Sequence, residues 1–226
     1  MPARPAAALG QDLPMPVPAT PAPEPHRWYA QEVLLGSKVT LAPLQLEHAE
    51  GYAAAVRSDG GAEEVYRWLG RATIPVTAEL ARAEILAALA ARARGEQFPF
   101  AQLDAGTGEV LGATSYYEVR PELRALAIGH TWLGRRWWRT GHNTESKLLL
   151  LSQAFEVLGA ARVVWHTDVL NERSRAAIQR LGARPEGVLR KHRIRADGTW
   201  RDTAQYAMTD EDWPEARDRL RASLRR

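Results

Sequence analysis

The residues best suited to chemistry lie in one stretch, Trp132-Leu133-Gly134-Arg135-Arg136-Trp137-Trp138-Arg139-Thr140-Gly141-His142-Asn143-Thr144-Glu145. It reads as the end of a strand, a basic glycine-containing loop and the start of a helix. A helix N-terminus leaves backbone N–H groups unpaired and carries the positive end of a dipole, so this junction can receive a pyrophosphate. On these residues alone, a plain connection capped by Asn143 or Thr144 is the preferred reading. Arg135, Arg136 and Arg139, with Trp137 and Trp138 between them, also form a patch able to stack on bases and contact phosphates. Its ordinary alternative is arginines facing solvent or cofactor phosphates and a tryptophan on the core. The 226-residue chain has no cysteine, which excludes disulfides, thiolate metal sites and a Cys nucleophile. Chemistry must come from oxygen, nitrogen or a bound cofactor.

The elements that must position this loop follow from patterning. With 45% hydrophobic and 25% charged residues, the composition is that of one soluble globular domain. A net charge of +3 and a pI near 9.4 mildly favour anionic partners without choosing among them. Residues 1–26 hold eight of the fourteen prolines and almost nothing to bury, so they read as a disordered, partly polyproline II tail, with the folded domain over 27–226. Alternation predicts a first strand over Val33 to Leu44, and helical spacing predicts helices over 46–57 and 62–69 about an Asp59-Gly60-Gly61 break. A longer helix starts at the Thr77 cap and ends at Gly95, with Leu80, Ala83, Ile85, Leu86 and Leu89 as its apolar stripe. Three strands, Phe98 to Leu103, Val110 to Val119 and Leu126 to Leu133, suggest an antiparallel meander. After Gly141 comes a helix with Leu148, Leu151, Phe155 and Leu158 on one face and Gly159 as its C-cap. A strand over Arg162 to Thr167, a helix over Arg173 to Leu181 and a hairpin around Asp197-Gly198 follow, and a helix over 210–224 capped at Thr209 or Asp210 closes the chain. No apolar run approaches the roughly 20 residues of a membrane span, and a secretory signal is not expected, so the expected location is cytoplasmic.

Arg139-Thr140-Gly141-His142-Asn143-Thr144-Glu145, with the leucine-rich helix ending Ala154-Phe155-Glu156-Val157-Leu158-Gly159, resembles motif A of the GNAT superfamily, and its RimJ/RimL-like subgroup in particular. The similarity continues through Arg162-Val163-Val164-Trp165, Asp168, Asn171-Glu172-Arg173-Ser174, Ala177-Ile178, Leu181-Gly182-Ala183, Glu186-Gly187, Leu189-Arg190, Asp197-Gly198, Arg201-Asp202, Tyr206 and Trp213. The resemblance implies an α/β GNAT fold, a twisted, mixed but mostly antiparallel sheet flanked by helices. It also implies acetyl-CoA as cosubstrate, without a metal. Two segments depart from the pattern. Trp138 and Asn143 stand in the usual Gln/Arg and last small-residue places of the phosphate loop, and Ala127-Ile128-Gly129 lacks the glutamate that relatives often carry as general base.

By resemblance, the cofactor residues are Thr131, Trp132, Leu133, Trp138, Arg139, Thr140, Gly141, His142, Asn143, Thr144 and Asn171. The strand around Thr131, Trp132 and Leu133 would splay from the strand ending near Thr167, with the pantetheine arm in the gap and backbone N–H groups facing the oxyanion. With no cysteine for an acyl-enzyme, an amine would attack the thioester directly in a ternary complex. Ser174 is the candidate proton donor to the thiolate, although Ser174 and Asn171 also suit simple N-capping. Glu118 and His130 are the remaining candidates for general base, each with a structural alternative. A second basic cluster, Arg190, Lys191, His192, Arg193 and Arg195, fits a solvated strand, and Asp202 opposite it could meet a cationic amine. The leading expectation is acetylation of a protein N-terminus or a small-molecule amine, with no membrane partner and a homodimer left open. A non-catalytic acyl-CoA-binding module is the alternative, and nucleic-acid binding ranks third.

Overall fold

The structure, a computed structural model, describes residues 25–225. The tail expected over 1–26 lies outside the described residues, apart from Pro25 and His26. Helix α1 (Pro25–Tyr29) opens the described chain, and its Trp28 is already buried in the core.

Strands β1 (Leu34–Leu35) and β2 (Val39–Pro43) form a hairpin where one strand is expected over Val33 to Leu44. The chain turns at Gly36 because the Glu145 carboxylate binds the turn; a Cβ on Gly36 would lie 2.6 Å from Glu145 Oε2. Helices α2 (Ala49–Arg57), α3 (Ala62–Tyr66) and α4 (Ala78–Ala93) follow. The break between α2 and α3 falls where expected, with Asp59 and Gly60 at φ of 53° and 65°. Helix α3 ends short of the expected 69. Thr77 caps α4 by accepting a hydrogen bond from the Leu80 amide at 3.3 Å. The buried line of α4 is Ala81 and Ile85 with Ala88 and Leu89 beside it; Leu80 and Leu86 flank that line and are exposed, which corrects the expected stripe.

The meander is present as β3 (Gln97–Asp104), β4 (Val110–Arg120) and β5 (Ala125–Leu133). Helix α5 (His142–Ser152) runs on through a π-helical turn at Gln153–Val157 and stops at Gly159, whose φ of 67° suits a glycine. Then come β6 (Arg162–Asp168), α6 (Glu172–Leu181), β7 (Arg184–Ile194), β8 (Trp200–Thr209) and α7 (Trp213–Leu224). Helix α7 starts at Trp213 instead of 210, because Asp212 Oδ2 accepts from the amide and hydroxyl of Thr209 and closes a turn first.

The eight strands lie in the order β1-β2-β3-β4-β5-β6-β8-β7, with β5–β6 the parallel pair and every other pairing antiparallel. One face packs Leu41, Leu111, Leu126 and Ile128 against Leu150, Leu151 and Phe155 of the α5 region and Trp213 and Leu220 of α7. The other packs Ala101, Ala113 and Trp132 beneath α2, α3 and α4. The observed architecture is the mixed, mostly antiparallel sheet between helices that the sequence suggests.

Candidate active site

Strands β5 and β6 pair only through Ala125, Ala127 and their neighbour Leu126 against Arg162 to Val164, and then diverge. The divergence opens a cleft of about 1030 Å³ between Ile128–Leu133 on one side and Trp165–Thr167 on the other, reached by the N-terminus of α5.

At the loop end, Gly141 is the N-cap of α5 at φ 90°, and no side chain caps the helix. The first intrahelical bond is Glu145 N to Gly141 O, so the amides of His142, Asn143 and Thr144 are left to face outward. Gly141, Asn143 and Thr144 line the cleft together with Arg135, Arg136, Arg139, Arg173 and Arg180. Arg135 and Arg173 approach Glu64 at 3.6 and 3.7 Å, whereas Arg139 and Arg180 form no ion pair among the described residues. The tryptophans are already occupied: Arg173 lies 3.7 Å above the Trp138 ring, Trp138 Nε1 donates to Leu133 O, and Trp137 carries Arg136 on one side and His142 on another. These contacts favour tryptophans that brace the loop over tryptophans free to stack on bases. Thr140 and His142 brace it too. Thr140 Oγ1 lies 2.6 Å from Trp137 O and 2.7 Å from His142 Nδ1, with His142 Nε2 3.4 Å from Asp104, and neither side chain lines the cleft.

In the middle, β5 carries a bulge. Ser115 faces Gly129 and Ala113 faces Trp132, so Thr114 stands opposite both His130 and Thr131, with His130 at φ 49°. Lys147 comes from α5 beneath this bulge. Its Nζ lies 2.8 Å from both Thr114 Oγ1 and Thr131 Oγ1, and those hydroxyls are 2.8 Å apart. Lys147 is buried and lines the cleft with no carboxylate beside it; burial lowers its pKa to about 7. Sequence reading missed it, although a lone lysine three and four residues before Leu150 and Leu151, on the inward face of an apolar helix, was the available signal. The Trp132 side chain turns away into the core, where Nε1 donates to the Tyr52 hydroxyl at 3.2 Å.

The proposed bases are differently placed. His130 lines the cleft edge-on to Tyr117, and burial, then Arg71 and Arg193, lower its pKa to about 4, so it is neutral at pH 7. Glu118 is exposed at the end of β4 with φ 48° and does not line the cleft. Ser174 and Asn171 both do. Asn171 is the N-cap of α6, its Oδ1 accepting from Ser174 N at 3.1 Å. Tyr117, His130, His166, Arg193 and Arg201 also line the cleft. Asp202 is engaged elsewhere, accepting from Lys191 N at 2.7 Å.

Residues 38–184 match the family described as the acetyltransferase (GNAT) domain. This chain belongs to the GNAT acetyltransferases. It is 39% identical to a T. thermophilus protein provisionally assigned as an acetyltransferase, covering 86% of this chain and 98% of that one with a TM-score of 0.75. It is 27% identical over 179 residues to the uncharacterized N-acetyltransferase YoaA of Bacillus subtilis, covering 78% of this chain and 96% of the relative. The fold is shared with Mycobacterium smegmatis RimJ in complex with CoA-disulfide, at 22% identity and a TM-score of 0.70 over 87% of this chain and 96% of that one. Family membership and these relatives support an enzyme that acts as an N-acetyltransferase. Among the described residues, no helix is long and apolar enough to cross a membrane.

Proposed function

We propose that the enzyme transfers the acetyl group of acetyl-CoA to a primary amine by direct attack in a ternary complex. The observation that carries this reading is the uncapped N-terminus of α5 behind Gly141, opening onto a cleft that runs between two diverging strands. The free amides of His142, Asn143 and Thr144, with Arg139 and Arg180 nearby and outside any ion pair among the described residues, suit the pyrophosphate. The gap between β5 and β6 suits the pantetheine arm, and Mycobacterium smegmatis RimJ, which shares this fold, is a complex with CoA-disulfide.

In the reaction, the amine nitrogen attacks the thioester carbon, the carbonyl oxygen becomes an oxyanion, the C–S bond breaks, and the nitrogen loses a proton while the thiolate gains one. Backbone amides of the bulged segment around Thr131 would face the oxyanion. Ser174, which lines the cleft, would protonate the thiolate and be reprotonated by the proton that the nitrogen loses, passed through water. With His130 too weakly basic to hold a proton at pH 7, an amine that arrives neutral needs no strong side-chain base. Release of free CoA from acetyl-CoA, measured across amines that include peptides with different N-terminal residues, tests the reading. Acetyl-CoA binding without release on any amine would overturn it.

A further inference from the structure

Strands β7 and β8 place Arg193 directly opposite Arg201 as cross-strand partners. Like charges in that position repel, and a sheet keeps them only where something else is gained. The pairing is brought about by a bulge. Between Leu189–Thr203 and Arg193–Arg201 the register shifts, with Lys191 at φ 48° and its amide tied to Asp202, and this turns Arg193 toward the cleft beside Arg201.

One carboxylate meets the pair, from the Arg201 side only. Asp168 forms a long ion pair with Arg201 at 4.0 Å, while Arg195 holds the same carboxylate bidentately at 2.6 and 3.0 Å and Leu170 N donates to it as well. Arg201 Nε is buried without a hydrogen-bond partner, and Arg193 makes no ion pair among the described residues. The groups around them are His130, His166, His192 and the Tyr117 hydroxyl; Glu118 is exposed beyond them. Burial lowers the Arg201 pKa, and Arg193 adds to that against the opposing effect of Asp168. Arg193, which has no ion pair among the described residues, and Arg201, whose one ion pair is long and shared with Arg195, line the same cleft and are built to receive a carboxylate.

We propose that Arg193 and Arg201 form the anion site of the acceptor end, so that the amine acetylated by this enzyme also bears a carboxylate. This inference rests on the acetyl-transfer reading above. The ligand chemistry has two sources, a free amino acid or an acidic residue near a peptide N-terminus, and the test has an arm for each.

The test compares acceptors with and without the anion at equal concentrations of neutral amine: L-alanine against L-alaninamide, and amide-capped Ala-Asp-Ala-Ala against amide-capped Ala-Asn-Ala-Ala. Free-CoA release gives kcat/KM for each, and the parent is expected to favour the carboxylate member of at least one pair by tenfold or more. Arg193→Gln, at an exposed strand position, should bring that ratio close to one, and Arg201→Lys should lower it less than Arg201→Gln. A ratio near one in the parent, or a preference that survives both Gln variants, overturns the anion site while leaving acetyl transfer standing. A second measurement titrates N-acetyl-L-alanine and its amide into the CoA-loaded protein by calorimetry. Binding of the acid alone, lost in Arg193→Gln, without turnover of any amine would uphold the anion site and overturn the acetyl-transfer reading; equal binding of acid and amide would count against the anion site.

Discussion

The hydroxyl of Tyr117 lies 2.9 Å from Nδ1 of His166, and it reaches there across the bare backbone of Gly129. On the far side of the imidazole, Nε2 lies 3.1 Å from Gln205 Oε1, and the amide of Gln205 is oriented by its bond to Glu186. With Nε2 donating to that oxygen, Tyr117 donates to Nδ1, and β4 is joined to β6 over the divergence of β5.

A methyl group on Gly129 would stand 2.6 Å from the Tyr117 ring, so Gly129→Ala should expel the ring and break this bridge. The expected cost is about 1–3 kcal/mol in denaturant unfolding. In a Tyr117→Ala background the same substitution should cost much less, since the obstacle is gone. Equal costs in both backgrounds would mean that the ring does not cross Gly129.

Lys147 gives the protein a pH dependence of defined sign. Ordinary lysine titrates near 10.4, whereas burial brings Lys147 to about 7. Between these values the unfolded chain holds a proton that the folded chain lacks, so stability rises with pH, by up to about 1.4 kcal/mol per pH unit. Below pH 7 the folded state carries the buried charge at its full cost. Lys147→Met removes this titration, so the variant should exceed the parent in stability at pH 6, with the gap closing toward pH 10. Parallel unfolding curves at every pH would show that Lys147 stays charged.

Glu145 should behave in the opposite way. Its carboxylate accepts hydrogen bonds from Ser37 N at 3.0 Å, Ser37 Oγ at 2.6 Å, Lys38 N at 2.6 Å and Val39 N at 2.8 Å. Desolvation pushes its pKa up, and these four bonds outweigh it and hold the pKa below the ordinary value. A carboxylate depressed in this way contributes stability above its unfolded pKa, and the contribution is lost as pH falls through the folded pKa. Glu145→Gln should cost about 1–3 kcal/mol at pH 7 and close to nothing at strongly acidic pH, as read from melting curves.

Gly141→Val separates cofactor binding from folding. A Cβ there meets Lys38 Cδ and Cε at 3.5 Å, an ordinary contact, so the penalty is the φ of 90° and not a clash. Moving the backbone to relieve it takes the α5 amides off a bound pyrophosphate, and acetyl-CoA binding should weaken by about 1–3 kcal/mol. Ser174→Ala should leave cofactor affinity in place and lower kcat if the hydroxyl protonates the thiolate. Calorimetry and CoA release on the two variants read these effects; undiminished binding by Gly141→Val would remove the phosphate from this helix end.

Much of the fold was legible because it is locally encoded. Alternation marked β3, β4 and β5, Asp197-Gly198 marked the last hairpin, and Gly159 marked the stop after α5. The first strand was misread because its break is set from a distance, by Glu145 more than 100 positions along the chain. Of the candidate site, Gly141, Asn143, Thr144, His130, Asn171 and Ser174 share one cleft, while Glu118 stands outside it. Lys147 escaped notice within a run of leucines, because only the sheet above it shows which way it points. The Arg193–Arg201 pair escaped as well, since a register shift in β7 cannot be seen in a row of basic residues that also suits an exposed strand.

The three-residue pairing of β5 with β6 has a mechanical side. It joins the five strands before it to the three after it, and it is reinforced at one end, where Arg124 O accepts from Ala161 N and Arg162 N and Arg124 Nε donates to Gly159 O. A short joint clamped at one end works as a pivot, and a small rotation about it is magnified with distance toward Leu133 and Asp168. Stiffness against that rotation comes from outside the ladder: from the Tyr117–His166 bridge and from α7, whose Trp213 stacks on Phe155 and donates to Glu156. Rotation about this joint would therefore change the width of the molecule's own cleft.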